Sequence, residues 1–180
     1  MPEERLATLA QQVQLLLMDV DGVLTDGQIV LAQVSENLVT ETKSFDVTDG
    51  AGIAFAKKAG LRTGIITKRA SLAVVRRANE LGMDYVLTGV DDKRAALEEV
   101  CRLSGVPTAN TCYIGDDLPD LPVLTKVGFP VAVRNARPEV QAIAAYVTEA
   151  LGGRGAVREV VELILKAQDR WNSVVDLFLK

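Results

Sequence analysis

The sequence predicts an α/β fold in which a Rossmann-like parallel sheet lies between layers of helices. Short apolar runs of strand length recur along the chain and alternate with longer segments whose apolar residues are three and four positions apart. Several of the short runs end in aspartate or glycine, the polar residues expected where a buried strand leaves a sheet. Together these two observations favour one three-layer domain over residues 1–180.

The first predicted strand covers residues 13–20, a nearly continuous apolar run. A run of this kind indicates a strand that is buried on both faces of a parallel sheet. Similar runs predict five further strands, at residues 61–67, 84–89, 111–115, 129–133 and 145–148.

Helices are predicted between these strands, at residues 71–82, 92–105 and 154–168. The sequence Asp49-Gly50-Ala51-Gly52 is a further helix start, with Asp49 as its cap. It is not a dinucleotide-binding fingerprint, because Phe55 stands where a third glycine belongs.

Residues 28–47 interrupt the alternation of strands and helices. They consist of two extended runs around a polar turn at residues 35–37, which predicts a β-hairpin inserted after the first strand. The insert is too short to be a separate cap domain. The tail at residues 169–180 is typical of a short amphipathic helix, with Trp171 in a packing or interface role.

Composition excludes several function classes. The chain has 20 basic and 24 acidic residues and no dense basic run, which argues against nucleic acid or an anionic membrane as a partner. No stretch approaches the roughly 18 apolar residues of a membrane helix, and the two cysteines suit a reducing compartment, so we expect a cytoplasmic protein. The absence of histidine excludes histidine phosphatases, Ser-His hydrolases and imidazole metal sites.

Polar residues follow several of the predicted strands. Because ligands collect at the carboxyl ends of parallel strands, we expect these residues to form one site. They are Asp19, Asp21, Thr67, Asp116, Asp117 and Asp120, with Lys93 at the start of the following helix.

These residue types suit phosphoryl transfer. We expect Asp19 to attack phosphorus and form an aspartyl-phosphate, and Asp21 to donate a proton to the leaving oxygen and later take one from water. Lys93 would offset the negative charge, and the Thr67 hydroxyl would hydrogen-bond to the phosphate.

The same acidic residues predict a magnesium site. Asp19, Asp116 and the backbone carbonyl of Asp21 offer the hard oxygen ligands that Mg2+ prefers. Asp117 and Asp120 are expected to orient the water ligands of the metal.

Four motifs in order resemble those of the haloacid dehalogenase superfamily: DVDGVLTDG, Ile65 to Thr67, Asp91 to Lys93, and GDDLPD at Gly115 to Asp120. FDVTDGAGI, YIGDDLPDLPVL and GGRGAVREV narrow the resemblance to a capless, tetrameric subgroup of lipopolysaccharide synthesis. That subgroup hydrolyses 3-deoxy-D-manno-octulosonate 8-phosphate. The resemblance therefore implies a Mg2+-dependent sugar-acid phosphatase.

The resemblance also implies how subunits cooperate. The hairpin at residues 28–47 would mediate a homotetramer, and residues 152–154 would reach a neighbouring active site, with Arg69 and Arg154 as substrate contacts. The chain departs from the subgroup at Lys68, where relatives usually have a loop glycine. This exchange changes the local backbone requirement.

Two alternatives stay open. One is a phosphatase for a related nine-carbon keto-sugar acid 9-phosphate. The other is a catalytically silent oligomerisation module beside a nucleotide-sugar synthetase, against which the intact Asp19, Asp21, Lys93 and Asp116 argue.

Overall fold

The structure is a computed structural model that describes residues 3–179. Its strands are β1 (Leu15–Met18), β2 (Val30–Ser35), β3 (Leu38–Thr42), β4 (Arg62–Ile66), β5 (Tyr85–Leu87), β6 (Thr111–Gly115), β7 (Phe129–Ala132) and β8 (Tyr146–Val147). Its helices are α1 (Glu3–Gln11), α2 (Val47–Lys58), α3 (Leu72–Glu80), α4 (Lys93–Ser104), α5 (Leu121–Leu124), α6 (Pro138–Ile143), α7 (Ala156–Ala167) and α8 (Trp171–Asp176). Short 3₁₀ turns cover Thr108–Asn110 and Leu118–Asp120.

Six strands form one parallel sheet in the order β5-β4-β1-β6-β7-β8. The chain builds outward from β1 to β5 and then returns to build outward on the other side from β6. The strand order thus reverses between β1 and β6, and an open α/β sheet binds its ligands at such a point. All six predicted strands are present, and the predicted α/β fold class is confirmed.

The sheet is centred on β1, whose four residues have no solvent exposure. β1 pairs with β4 on one side and β6 on the other, so its backbone polar groups are used on both edges. Tyr113 of β6 and Phe129 of β7 are the largest of the fully buried side chains. This core fixes the position of Asp19, the residue that directly follows β1.

Helices cover both faces of the sheet. α2 packs against α7, which also contacts α1 and α8, while α4, α5 and α6 form a second contacting group. Right-handed crossovers place α2 on one face and α4, α5 and α6 on the other, and α7 returns to the face of α2. The buried residues of α7 recur at three- and four-residue spacing, as predicted for this segment: Ala156, Val157, Val160, Val161, Ile164 and Leu165.

The prediction that Asp49 caps α2 is wrong. The cap is Asp46, whose carboxylate accepts a hydrogen bond from the Thr48 amide at 2.6 Å. Asp49 lies in the first turn and is buried, and its carboxylate accepts from the amides of Gly155 at 3.1 Å and Arg158 at 3.0 Å. It therefore ties α2 to the start of α7 instead of capping its own helix.

The predicted hairpin is present as a separate two-stranded antiparallel sheet, β2 and β3. It is shorter than the predicted segment, because α2 already begins at Val47. Its apolar side chains are half or more exposed in the single chain: Ile29, Val30, Leu31, Val34, Leu38 and Val39. Among residues 3–179 this hairpin is the insert after β1, and no cap domain accompanies it.

The tail forms α8, as predicted, and Lys180 lies outside the described residues. Trp171 and Phe178 both pack edge-on against Phe55 of α2, with ring centroids 6.1 and 5.4 Å away. This aromatic cluster holds the tail on its own chain. Within the described part of the chain, every helix is too short or too polar to cross a bilayer.

Candidate active site

The polar residues that follow the strands line one cavity of about 180 Å³. It lies at the carboxyl ends of β1, β4 and β6, beside the reversal of strand order. Its lining residues are Asp19, Asp21, Thr67, Lys68, Arg69, Lys93, Asp116, Asp117 and Pro119. The structure thus brings together most of the predicted site residues.

The end of β1 positions Asp19. Its amide donates to the Ile114 carbonyl at 3.0 Å, which continues the ladder between β1 and β6 by one residue. The chain then turns sharply at Gly22, which has a φ of +95°. A Cβ at Gly22 would overlap the Asp116 carboxylate, so only glycine lets the two acidic loops approach each other.

The loop after β6 positions Asp116 and Asp117. Asp120, which is buried, accepts hydrogen bonds on Oδ2 from the amides of Asp116 at 3.0 Å and Asp117 at 3.3 Å. Asp117 caps the following 3₁₀ turn through the Leu118 amide and is exposed. Asp120 therefore shapes this loop from beneath, while Asp116 and Asp117 face the cavity.

Lys93 reaches the site from the first turn of α4, which Asp92 caps. Its Nζ lies 2.9 Å from Asp19 Oδ1 and 2.7 Å from Asp120 Oδ1. The side chain is only 5% exposed, and lysine is rarely buried this deeply without paired carboxylates. Lys93 is thus the fixed cation between the two acidic loops.

Sequence analysis did not identify Tyr113 as part of the site. Its buried hydroxyl donates to Asp120 Oδ1 at 2.8 Å and lies 3.5 Å from Lys93 Nζ. A usable signal was present, since a tyrosine in a strand buried on both faces needs a partner for its hydroxyl. Asp120 is its partner.

Burial and mutual repulsion raise the pKa values of the two central carboxyl groups. Burial, followed by the Asp120 charge, raises the pKa of Asp19 to about 6, although Lys93 acts in the opposite direction. Burial and the charges of Asp120, Asp19 and Asp117 raise the pKa of Asp116 to about 7. Burial alone would lower the pKa of Lys93, but the Asp120 and Asp19 carboxylates outweigh it and the pKa is raised. Lys93 alone therefore does not balance the negative charge of these carboxylates.

Asp19, Asp116 and Asp120 could each direct one oxygen to a common point, since these oxygens lie within 4.8 Å of one another. Asp120 is the least suited, because Lys93, Tyr113 and two amides already occupy its oxygens. In contrast, one buried oxygen of Asp116 accepts no hydrogen bond within the described residues, and Asp19 has Lys93 as its only ion-pair partner there. The donor set therefore fits a hard cation held mainly by Asp19 and Asp116.

Thr67 is buried at the end of β4. Its amide donates to the Leu87 carbonyl at 2.9 Å and its own carbonyl accepts from the Val90 amide at 3.1 Å. These bonds extend the pairing of β4 and β5 and fix Thr67 where it lines the cavity.

Asp21 lies at the cavity mouth beside two residues that sequence analysis did not assign to the site, Glu41 and Lys43. Lys43 donates to Asp21 Oδ1 in a short ion pair, and Arg69 Nε lies 3.6 Å from Asp21 Oδ2. Arg69 also pairs with Glu41 at 2.5 Å, which holds the pKa of the Glu41 carboxyl below its usual range. The spacing of Glu41 and Lys43 was an available signal, because alternate residues at a strand end project to one side.

Arg154 is not brought to this cavity within one chain. It lies in a separate cavity of about 300 Å³, with Nη2 at 3.7 Å from Asp26 and with 66% of its side chain exposed. The adjoining glycines dock onto the loop after β1: the Gly153 amide donates to the Val23 carbonyl at 2.7 Å, and a Cβ at Gly152 would overlap the Gly22 carbonyl.

Fold and site together define a class. The arrangement is that of a haloacid dehalogenase-like hydrolase. It has a parallel sheet with an aspartate pair after the first strand, a lysine at a later helix start and an acidic loop after the fourth parallel strand. Residues 86–158 match the family model described as haloacid dehalogenase-like hydrolase.

Similar proteins identify the family within this class. The chain is 42% identical over 163 residues to the 3-deoxy-D-manno-octulosonate 8-phosphate phosphatase of Salmonella typhi, covering 91% of this chain and 85% of that enzyme. The Escherichia coli K12 enzyme of the same name is 42% identical over 161 residues, with 89% and 84% covered. The chain belongs to the 3-deoxy-D-manno-octulosonate 8-phosphate phosphatase family.

Solved structures agree with this assignment. The Moraxella catarrhalis enzyme of that name, in complex with magnesium, phosphate and KDO, superimposes with a TM-score of 0.93 at 42% identity, covering 98% of this chain and 99% of that one. A cobalt-bound deoxy-D-mannose-octulosonate 8-phosphate phosphatase from Haemophilus influenzae gives a TM-score of 0.86 at 34% identity, with 95% and 99% covered.

Proposed function

We propose that this chain is a single-domain, Mg2+-dependent phosphatase of lipopolysaccharide synthesis that hydrolyses 3-deoxy-D-manno-octulosonate 8-phosphate to 3-deoxy-D-manno-octulosonate and phosphate. The observation that carries the proposal is the cavity in which Asp19, Lys93 and Asp116 converge. The named activity of relatives that are 42% identical over most of their length supports this substrate.

Asp19 is the proposed nucleophile. One of its carboxylate oxygens forms a bond to phosphorus while the bond from phosphorus to the sugar oxygen breaks, which leaves an aspartyl-phosphate. Lys93, 2.9 Å from Asp19, keeps the carboxylate oriented and offsets the charge that the phosphate brings. The Thr67 hydroxyl is proposed to hydrogen-bond to the phosphate.

Asp21 is the proposed acid and base. In the first step it donates a proton to the departing sugar oxygen, and in the second it takes a proton from the water that attacks the aspartyl-phosphate. Its place at the cavity mouth, with a side chain that is 21% exposed, suits a group that must meet both the leaving group and water.

Asp19 and Asp116 would hold the Mg2+, together with the predicted backbone carbonyl of Asp21. When bound, the metal supplies charge neutralisation for the transferring phosphoryl group. Asp117 faces the cavity and is proposed to orient water there. Asp120 was predicted to share that task, but its oxygens are engaged, so we assign it the positioning of Lys93 and of the loop after β6.

The substrate carboxylate needs cations of its own. Arg69 lines the mouth and is proposed to contact the substrate. Arg154 is proposed to do so in the cavity of a neighbouring subunit, because it is exposed and lies outside its own cavity. This arrangement requires an oligomer, for which we propose a tetramer assembled through the exposed apolar hairpin. The free thiols of Cys101 and Cys112 suit a cytoplasmic location.

A phosphate-release assay tests the proposal. Purified protein is incubated with the eight-carbon 8-phosphate and with the nine-carbon keto-sugar acid 9-phosphate, each with Mg2+ and with EDTA. We expect the highest kcat/KM on the eight-carbon substrate and loss of activity in EDTA. Preference for the nine-carbon substrate would favour the alternative phosphatase, to which Lys68 in the cavity wall would then be relevant. No release from either would favour the silent module.

A further inference from the structure

Four charged side chains form a closed ring at the mouth of the cavity. Asp21 pairs with Lys43 and Arg69, and Glu41 pairs with the same two cations. The separations are 3.6 Å from Arg69 to Asp21, 2.5 Å from Arg69 to Glu41 and 3.5 Å from Lys43 to Glu41. The charges alternate around the ring and cancel.

Lys43 is the most enclosed member of this ring. Its side chain has no solvent exposure, whereas that of Arg69 is 44% exposed. A buried ammonium group loses its hydration, and only well-placed carboxylates compensate for that loss. Lys43 is therefore confined to the position where Asp21 and Glu41 both reach it.

The ring also fixes the orientation of the Asp21 carboxylate. Its Oδ1 faces Lys43 and its Oδ2 faces Arg69, so each oxygen has a separate cation. The last torsion of an aspartate side chain has a broad energy profile and is not fixed by the backbone. Two cations on opposite oxygens remove this freedom.

We infer that Lys43 is a positioning residue for Asp21 and that Glu41 supports it by holding both cations of the ring. The inference rests on the proposed function, in which Asp21 transfers protons to the leaving oxygen and from water. Both transfers require the carboxylate to lie within hydrogen-bond reach of the reacting oxygen. A carboxylate free to rotate would satisfy that requirement less often.

The base of the hairpin contributes to the active site of its own chain. Glu41 belongs to β3 and Lys43 follows it directly, while their partners Asp21 and Arg69 belong to the loops after β1 and β4. The base of the hairpin therefore completes the site of the chain that carries it, whatever its tip contacts.

Activity on substrates with good and poor leaving groups distinguishes a misplaced general acid from a general loss of activity. p-Nitrophenyl phosphate releases a stable phenolate that needs little protonation, whereas a sugar alkoxide must be protonated as it leaves. Lys43→Met removes the charge and keeps the length of the side chain. We expect kcat/KM to fall by about 100-fold on the sugar phosphate and by less than about 10-fold on the aryl phosphate.

Three further variants complete the test. Lys43→Arg should restore much of the activity on the sugar phosphate, and Lys126→Met, at an exposed lysine outside the site, should match the wild type. Glu41→Gln should show the same substrate-selective loss as Lys43→Met, but smaller. Glu41→Gln provides the test if Lys43→Met fails to fold. Equal losses on both substrates in variants with a wild-type circular dichroism spectrum would overturn the inference.

A double-mutant cycle tests whether Lys43 acts through Asp21. In an Asp21→Asn background, adding Lys43→Met should lower kcat/KM on the sugar phosphate no further. A further loss equal to that seen in the wild-type background would refute the positioning role. If Asp21→Asn itself leaves the activity unchanged, the proposed acid-base role of Asp21 fails instead, so the two failures are distinguishable.

Discussion

The division of labour between Asp19 and Asp21 predicts different defects in their asparagine variants. Asp19→Asn should leave less than about one per cent of the phosphate release, because an amide does not form the covalent intermediate. Asp21→Asn should slow both steps and let aspartyl-phosphate accumulate, since the second step lacks its base. Intact-mass spectrometry after rapid acid quenching measures the phosphorylated fraction. Residual turnover well above one per cent in Asp19→Asn would contradict the nucleophile assignment.

The raised pKa values of Asp19 and Asp116 predict how pH acts on the metal-free protein. Their ordinary value is 3.8, and the folded values are about 6 and about 7. Between about pH 4 and 7 the folded state therefore binds more protons than the unfolded chain. Each group should lower the free energy of unfolding by at most about 1.4 kcal/mol per pH unit as pH rises through this range.

Thermal unfolding in EDTA from pH 4.5 to 7.5 measures this effect. Asp116→Asn, which does not titrate, is the control and should show a shallower decline of Tm than the wild type. Added Mg2+ should raise Tm most at the upper end of the range, because the metal binds the ionised carboxylates. Parallel wild-type and variant curves would contradict the predicted contribution of Asp116.

The site residues that the sequence predicts are mainly those at strand ends. Asp19, Thr67 and Asp116 directly follow strands that their apolar runs reveal, and the structure places all three in one cavity. The strand pattern makes Lys43 and Tyr113 candidates, but it does not identify their partners, which lie 22 and 7 residues away along the chain and depend on how the loops fold back.

Among the secondary-structure elements, α2 is the one for which the local sequence predicted the wrong N-cap. Asp46 and Asp49 are both acceptable caps by residue type, and the motif around Asp49 looked like a helix start. The carboxylate of Asp49 instead binds amides 106 and 109 residues further along the chain. Local propensity contains no information about such a partner, whereas the periodicity of α7 gave that helix nearly to its ends.

This arrangement predicts unequal effects of two alanine variants. Asp49→Ala leaves the amides of Gly155 and Arg158 without their buried acceptor and should lower the free energy of unfolding by about 2 kcal/mol. Asp46→Ala removes a half-buried N-cap and should cost about 1 kcal/mol. Urea unfolding followed by circular dichroism compares them. A larger effect of Asp46→Ala would contradict the structural role given to Asp49.

For the molecule as a whole, the exposed apolar hairpin is the feature that a single chain leaves unexplained. An isolated two-stranded hairpin is marginally stable in water, and exposed apolar strands of this kind are usually covered. Alternating strands and helices together with right-handed crossovers predict a parallel sheet with helices on its faces. The number of subunits is not contained in that pattern, because it depends on contacts between chains.

Charged substitutions in the hairpin test the proposed assembly. Val30→Glu and Leu38→Glu should yield smaller species with a strongly raised KM for the sugar phosphate, while hydrolysis of an aryl phosphate persists. Light scattering measures the mass, and Leu103→Glu, at an exposed leucine of α4, is the matched control. A fully active monomer, in the wild type or in either variant, would show that the shared-site arrangement is wrong.

The docking of Gly152 and Gly153 onto the loop after β1 also sets when the enzyme becomes competent during synthesis. The ribosome makes the nucleophile loop early, but the glycines that press against it emerge about 130 residues later. A ribosome adds on the order of 10 residues per second, so the loop waits about ten seconds for this contact. During that interval the turn that carries the reactive aspartate lacks this support, so we expect catalytic competence only after residues 152 and 153 have been made.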